Sequence, residues 1–199
     1  MKLHYSPASP YVRKVMACAI ARGLDGRIEK VATNPHTSPE GLLADNPLSK
    51  VPALVADDGT AIYDSPVICE YLDTLGDAAP LFPPTGTPAR LKAQVMHATA
   101  DGILDAAVGR RGNMPLPQDD GRRAYDARQK AAVDRALAVL EKAPPQGLSD
   151  IGEVAVACAL GYLDFRFANE PWRETHPRLA AWFEKVSTLP PIAQTVPVG

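Results

Sequence analysis

Three short segments in the first third of the chain hold residues able to bind and activate a small zwitterionic ligand. Ser9 precedes Pro10 and a run with helical spacing. Its hydroxyl therefore falls at a helix N-terminus, where free backbone N–H groups and the positive end of the helix dipole favour an anion. Taken alone, Ser9 reads first as an N-cap. Lys50-Val51-Pro52 places a proline at the start of a strand, after a loop, where a missing N–H is tolerated. A cis Val51–Pro52 bond would turn the valine backbone outward to pair with an extended ligand, and the sequence leaves the isomer open. Asp64-Ser65, followed by Pro66, sets a carboxylate and a hydroxyl at a second helix N-terminus. Capping alone would account for that pair as well. Together the segments suit a short peptide: N–H groups and a serine for its carboxylate, an aspartate for its α-ammonium.

The elements that must position these residues follow from periodicity. Lys2 to Tyr5 reads as a strand, and Val12, Val15, Met16, Ala19 and Ile20 mark one face of a helix closed by Gly23. Ile28 to Thr33 is a second strand, and a short helix starts at Ser38-Pro39-Glu40 and stops at Asn46-Pro47. Val51 to Val55 is a third strand, joined by the hairpin turn Asp57-Asp58-Gly59-Thr60 to Ala61-Ile62-Tyr63. Val67, Ile68, Tyr71, Leu72 and Leu75 then mark a helix. The order β-α-β-α-β-β-α predicts a parallel first pair, because a helical crossover joins it, and an antiparallel last pair.

Residues 77–87 are dense in Pro, Gly and Thr without periodicity and read as a linker. Everything beyond reads as helical. Ala89 to Val108 carries Leu91, Val95, Ala98, Gly102 and Ala106 along one face, and Tyr125 to Leu140 carries Val133, Ala136, Leu137 and Leu140. Val154 to Leu160 is apolar all the way round, which places its helix in the middle of a bundle, starting at Asp150-Ile151-Gly152-Glu153 with capping-box spacing. Pro177 to Val186 is a last amphipathic helix with Leu179, Trp182 and Phe183. The expected organisation is an α/β domain over residues 1–76, the linker, and an all-α domain over residues 88–199.

Composition narrows the function. The chain has 199 residues, 46% hydrophobic and 22% charged, with a formal net charge of −2. Up to Leu75 there are 7 basic and 9 acidic residues, and 14 of each after it, so neither half carries a nucleic acid binder's basic block. Cys18, Cys69 and Cys158 are odd in number and lie in apolar helical contexts, which fits buried thiols in a reducing compartment and not a disulfide framework. His4, His36, His97 and His176 are scattered without ligand spacing, so no metal is expected. No leader-like or membrane-spanning run stands out, and the expected location is cytoplasmic.

Ser9-Pro10-Tyr11-Val12-Arg13-Lys14-Val15 resembles the N-terminal motif of serine-type glutathione transferases. Asn46-Pro47-Leu48-Ser49-Lys50-Val51-Pro52-Ala53-Leu54 is similar to their N-P-x-x-x-V-P-x-L segment, and Asp64-Ser65-Pro66-Val67-Ile68-Cys69-Glu70-Tyr71-Leu72 to their (E/D)-S-x-x-I-x-x-Y-L segment. The segments come in the family's order and spacing, and Asp150 to Leu160 extends the resemblance into the helical domain. It implies a thioredoxin-like N-terminal domain, a helical-bundle C-terminal domain and a cytoplasmic homodimer serving detoxification. It also implies glutathione as co-substrate, held by Ser9, the Val51 backbone, Asp64 and Ser65 beside a cis Pro52, with Lys50 near a glutathione carboxylate. Two departures stand out: Asp64 replaces the commoner Glu or Gln, and Asp150 with Glu153 inverts the usual Ser/Thr-x-x-Asp cap.

The implied chemistry is energetically reasonable. A thiol of pKa about 8.5 is only a few per cent thiolate at neutral pH, and lowering it by about two units needs about 2.7 kcal/mol. One hydrogen bond to a charged acceptor supplies about 1.5–3 kcal/mol, so a single Ser9 hydroxyl donating to the sulfur suffices. Ser6, at the end of the strand and before Pro7, points less naturally into the helix dipole. The expected electrophile is small and hydrophobic and lies over the helical domain, with His97, Asp101, Leu104, Tyr162 and Arg166 as candidate wall residues. Two other readings share the fold: a binding module acting through protein partners, and a glutathione-dependent peroxidase or dehalogenase.

Overall fold

The computed structural model describes residues Met1–Gly199, folded into two compact units: Met1–Thr85 together with Leu189–Gly199, and Gly86–Thr188. In chain order the elements are β1 (Lys2–Tyr5), α1 (Pro10–Ala21), β2 (Glu29–Ala32), α2 (Glu40–Asp45), β3 (Ala53–Val55), β4 (Ala61–Ile62), α3 (Ser65–Leu75), α4 (Pro88–Asn113), α5 (Asp120–Lys142), α6 (Ile151–Arg166), α7 (Trp172–Thr175), α8 (Pro177–Ser187) and α9 (Pro190–Ala193).

The first unit is a thioredoxin-like α/β fold. Its sheet has the order β2-β1-β3-β4. β1 and β2 run parallel because α1 crosses between them, whereas β3 is antiparallel to both β1 and β4. Leu3 and Leu54, fully buried, anchor the central strands, and Val12, Val15, Met16, Ile68 and Leu72 supply the helical side of the core. α1 starts where the sequence signals it: Ser9 Oγ accepts the Val12 N–H at 3.3 Å and Pro10 occupies the first turn. Gly23, at φ +71°, follows its last turn in the left-handed region that glycine alone enters without cost. The far ends of α1 and α3 are tied by Arg22, whose Nε lies 3.1 Å from Asp73 Oδ1. Asp73 in turn accepts the N–H groups of Leu81 and Phe82 and fixes the chain leaving α3.

The second unit is an all-α bundle in which α4 packs against α5 and α6, and α8 against α5, α6 and α7. α6 is buried without interruption from Ile151 to Leu163, as its lack of a polar face requires. Asp150 caps it, accepting the Glu153 N–H at 3.0 Å. Gly152 is needed for closeness: a Cβ there would come 2.6 Å from the Ala93 carbonyl oxygen and 2.8 Å from Met96 Cβ, so only glycine lets α6 approach α4 so tightly. No helix is long and apolar enough to cross a membrane.

Two differences from the sequence reading are instructive. Most of the apolar stripe read along α4 lies on its outer side, with Leu91 and Val95 65% and 58% exposed and Ala98 and Gly102 exposed as well; only Ala106 of it is buried. The buried face is instead Ala93, His97, Ala100, Ile103, Leu104, Ala107 and Arg110. Small alanines and two polar residues allow close packing there but weaken the hydrophobic signal. The second difference is the C-terminal segment Leu189–Gly199, which joins the first unit rather than the helical one. Its short helix α9 packs on α1, and Arg13 holds it there.

Candidate glutathione site

Strand register gathers the three segments singled out in the sequence. His4, near the end of β1, pairs with Ala53, the first residue of β3, and Leu54 pairs with Ile62, the last of β4. The loop after β1, the segment before β3 and the segment after β4 therefore emerge at one edge of the sheet. Those are Ser6–Ser9, Lys50–Pro52 and Tyr63–Ser65. Residues far apart in sequence share that edge because β1 and β4 both run antiparallel to β3, toward its start.

Ser9 is half-buried, and its backbone N–H donates to the Ser6 carbonyl at 3.1 Å. This closes a tight loop that presents the Ser9 hydroxyl at the start of α1. Lys50 is exposed and Val51 is buried. The Val51–Pro52 peptide is cis, as is the Tyr63–Asp64 peptide. Asn46, read from the sequence as a helix stop and the start of the N-P-x-x-x-V-P-x-L segment but not as a site residue, organises this loop. Its Nδ2 donates to the Lys50 carbonyl at 2.9 Å, and its Oδ1 accepts the Leu48 N–H at 3.0 Å. An Asn that bonds backbone two residues on is a recognisable turn former, so its place before Pro47 was the available signal.

The helix starts fall into two kinds. Ser9, Thr87, Asp119 and Asp150 accept a backbone N–H with their side chains, whereas Asp64 before α3, like His176 before α8, makes no capping bond. Asp64 is exposed and Ser65 is buried. Pro66 has no N–H, and the N–H groups of Ser65 and Val67 have no backbone acceptor outside the helix. A carboxylate at this terminus would meet unpaired donors and the positive end of the helix dipole.

The other candidate residues lie on the helical unit. His97 Nε2 stands 3.3 Å from Asp101 Oδ2, one turn away on α4, and His97 is buried. Leu104 has no exposed surface. It is a core residue and not a ligand wall, because the α4 face it shares with Ile103 and Ala107 is the one turned inward. Tyr162 and Arg166 sit one turn apart on α6, with Tyr162 buried and Arg166 half-buried. Burial raises the Tyr162 phenol above its ordinary pKa of 10.0, against the opposing pull of Arg166 and Arg111, so the group is a neutral donor at neutral pH. No group of three His, Cys, Asp or Glu side chains is placed to hold a metal ion.

Comparisons with known proteins show the family. Residues 8–75 match the family model for the N-terminal domain of glutathione S-transferase, and residues 123–185 match that for its C-terminal domain. The chain is 32% identical to the uncharacterized GST-like protein YibF of Escherichia coli, over 99% of this chain and 98% of that protein. A glutathione transferase family member from Pseudomonas fluorescens, crystallised with bound glutathione, is 39% identical and superposes with a TM-score of 0.89, covering 100% of this chain and 99% of that one. The same description applies to a second crystal structure with bound S-(propanoic acid)-glutathione, at 39% identity, a TM-score of 0.88 and full coverage of both chains, 100% each. A glutathione S-transferase from Methylobacillus flagellatus with GSH bound is 31% identical, with a TM-score of 0.89 and 99% coverage of both chains.

Proposed function

The chain belongs to the glutathione S-transferase family, and from that premise we propose that it binds glutathione at the sheet edge of its first unit and transfers it to a small electrophile. The observation that carries this reading is the unsatisfied start of α3. A helix terminus with a free Asp64 carboxylate, a buried Ser65 and unpaired N–H groups complements the two ends of a γ-glutamyl group, carboxylate on the N–H groups and α-ammonium on Asp64. The Val51 backbone pairs with the extended peptide, and Lys50 lies near its far carboxylate.

Ser9 then acts on the sulfur. Its hydroxyl donates to the thiolate and, with the α1 dipole, lowers the thiol pKa. It neither attacks nor removes a proton; the thiol proton leaves to solvent. The thiolate forms a carbon–sulfur bond with the electrophile. In a substitution, the leaving group departs with the electron pair of its broken bond. In an addition to an activated alkene, the adjacent carbon takes a proton from water. The homodimer and the cytoplasmic, detoxifying role implied by the sequence resemblance are part of the same reading. The four site features together favour it over a module that works through protein partners alone.

The test is calorimetry with glutathione near neutral pH. Wild type is expected to bind saturably, Ser65→Ala to lose binding, and Ser9→Ala to bind while failing to lower the thiol pKa. Absence of binding by wild type at millimolar glutathione would rule the reading out.

A further inference from the structure

A hydroxyl, an imidazole and a carboxylate line up in the first unit. His4 Nδ1 stands 3.0 Å from Thr33 Oγ1, and His4 Nε2 stands 2.8 Å from Asp45 Oδ2. The order of groups is that of a nucleophilic relay, but the protons are placed otherwise. The Thr33 hydroxyl donates to the Val31 carbonyl at 2.8 Å, so it is not poised to give its proton to the imidazole. A carboxylate only accepts, so His4 Nε2 carries a proton and donates it to Asp45. The ring is a brace, 9% exposed, that joins β1 to the residue after β2 and to the last residue of α2.

α2 needs such a brace. It has six residues, and Leu42 is the one that is buried. A helix that short draws its stability from packing, and a single apolar anchor supplies little of it. The brace closes at Asp45, and the next residue is Asn46, 2% exposed, whose Nδ2 donates to the Lys50 carbonyl and whose Oδ1 accepts the Leu48 N–H. Ser49, at φ +52°, turns this loop tightly, and its N–H donates to the Asn46 carbonyl at 3.0 Å. The end of α2 therefore sets, through Asn46, where the chain enters Lys50-Val51. A core histidine needs only some partner for each nitrogen. This one takes its carboxylate partner from the residue immediately before the organiser of the loop.

We propose that His4 is a positioning residue for glutathione: through Asp45 and Asn46 it fixes the Lys50-Val51 arm that receives the far half of the peptide. The inference rests on the glutathione-binding reading and adds to it a control that lies outside the three binding segments. Ser9 and Asp64-Ser65 are carried by the starts of α1 and α3, so loss of the brace is felt at the arm and not at those two places.

Calorimetry on the intact protein tests this with glutathione and γ-glutamylcysteine, which share the γ-glutamyl and cysteinyl groups and differ in the glycine at the Lys50 end. Lys50 is exposed, so wild type is expected to bind glutathione about fivefold more tightly, the upper end of what an exposed ion pair contributes. His4→Leu, which fills the space without donating, and the half-buried Asp45→Ala are each expected to bring the two affinities together. His4→Gln, whose side-chain amide supplies an N–H in place of Nε2, is expected to keep the preference. The double variant His4→Leu with Asp45→Ala is expected to lose no more than either single one, because both remove the same bond. A general loss of stability would weaken both ligands alike and leave their ratio where it was. Equal affinities in wild type, or a preference unchanged in both His4→Leu and Asp45→Ala, would overturn the positioning role while leaving glutathione binding intact. Failure of wild type to bind glutathione itself would overturn both.

Discussion

The Arg13 guanidinium in α1 donates to the Ile192 carbonyl of the C-terminal segment at 3.2 Å. Its Nε lies 3.5 Å from Thr195 Oγ1, its Nη1 is buried without a partner, and the residue is 6% exposed. The segment also reaches the loop before Ser9, where the Val198 N–H meets the Pro7 carbonyl at 3.4 Å. A buried cation thus depends on the last residues of the chain. Ending the chain after Thr188 removes the acceptors of Arg13 and uncovers the apolar α1 surface under Ile192, whereas Arg13→Met removes the charge along with its need for partners and leaves that surface covered. We expect the truncation to destabilise the protein more than Arg13→Met, whose cost should be about 1.5–3 kcal/mol. Urea midpoints of the two variants decide it; an equal or larger loss in Arg13→Met would contradict this account.

Arg110 is the corresponding lock of the helical unit. Its Nη1 and Nη2 contact Glu170 at 2.9 and 2.6 Å, and its Nε and Nη2 contact Asp126 at 3.1 and 3.3 Å, with the guanidinium 4.6 Å from the Phe167 ring centroid. Lysine cannot serve two carboxylates with paired bonds or stack on the ring in this way. Arg110→Lys should therefore cost about 1.5–3 kcal/mol despite keeping the charge, a value held down because both acids remain part-exposed. Thermal unfolding of Arg110→Lys within error of wild type would show that charge alone matters here.

Much of this molecule is legible in the chain because local signals agree with tertiary demand. Ser9-Pro10 and Asp150 announce helix starts, and both side chains make the expected bonds. The apolar run of α6 announces a buried centre, and Ser9, Val51 and Asp64-Ser65 come to one sheet edge through the register of β1, β3 and β4. Where sequence misled, the cause is also physical. The inward face of α4 is built from alanines, His97 and Arg110, because α6 approaches closely at Gly152, so its longest aliphatic residues near the start, Leu91 and Val95, mark the wrong side. Arg13 and Asn46 act through partners distant in sequence or through a loop's backbone, which no periodicity reveals.

The loop before α6 makes stability depend on acid pH. Burial works against an ionised Glu153, but the N–H groups of Ser149, Gly147 and Gln146 and the Ser149 hydroxyl outweigh it and hold the carboxyl below a glutamate's ordinary 4.5. A carboxyl depressed in the folded state contributes stability that is present above its unfolded value and lost as pH falls through the folded one. Glu170, lowered by Arg110, behaves alike, whereas burial raises Asp150, so its folded form gains protons more readily and opposes the trend. Glu153→Gln should lower stability at neutral pH and flatten its fall below about pH 4.5. Urea unfolding repeated across the acid range measures that slope, and parallel curves for wild type and variant would exclude Glu153 as a source of it.

The outer face of α4 leads to the last prediction. Leu91 and Val95 are 65% and 58% exposed, and Ala98 and Gly102 continue the same stripe, also exposed, at spacings of three and four residues. Long aliphatic side chains followed by small ones give a surface with bulk at one end and room for close backbone approach at the other. Two copies running antiparallel would set the bulk of each against the room of the other, the self-complementary arrangement a two-fold dimer needs. Val67, 50% exposed on α3, is a further apolar residue left in water by a single chain. The homodimer proposed above should therefore be held by α4, and Leu91→Glu with Val95→Glu should convert it to monomer. The exchange adds repulsion at the dimer axis without touching the buried face of the helix, so circular dichroism and thermal unfolding should show a folded chain. Sedimentation equilibrium distinguishes the outcomes: a wild-type dimer that becomes a folded monomer supports the stripe as the interface. A double variant that stays dimeric would place the interface elsewhere, and a monomeric wild type would remove the dimer from the reading.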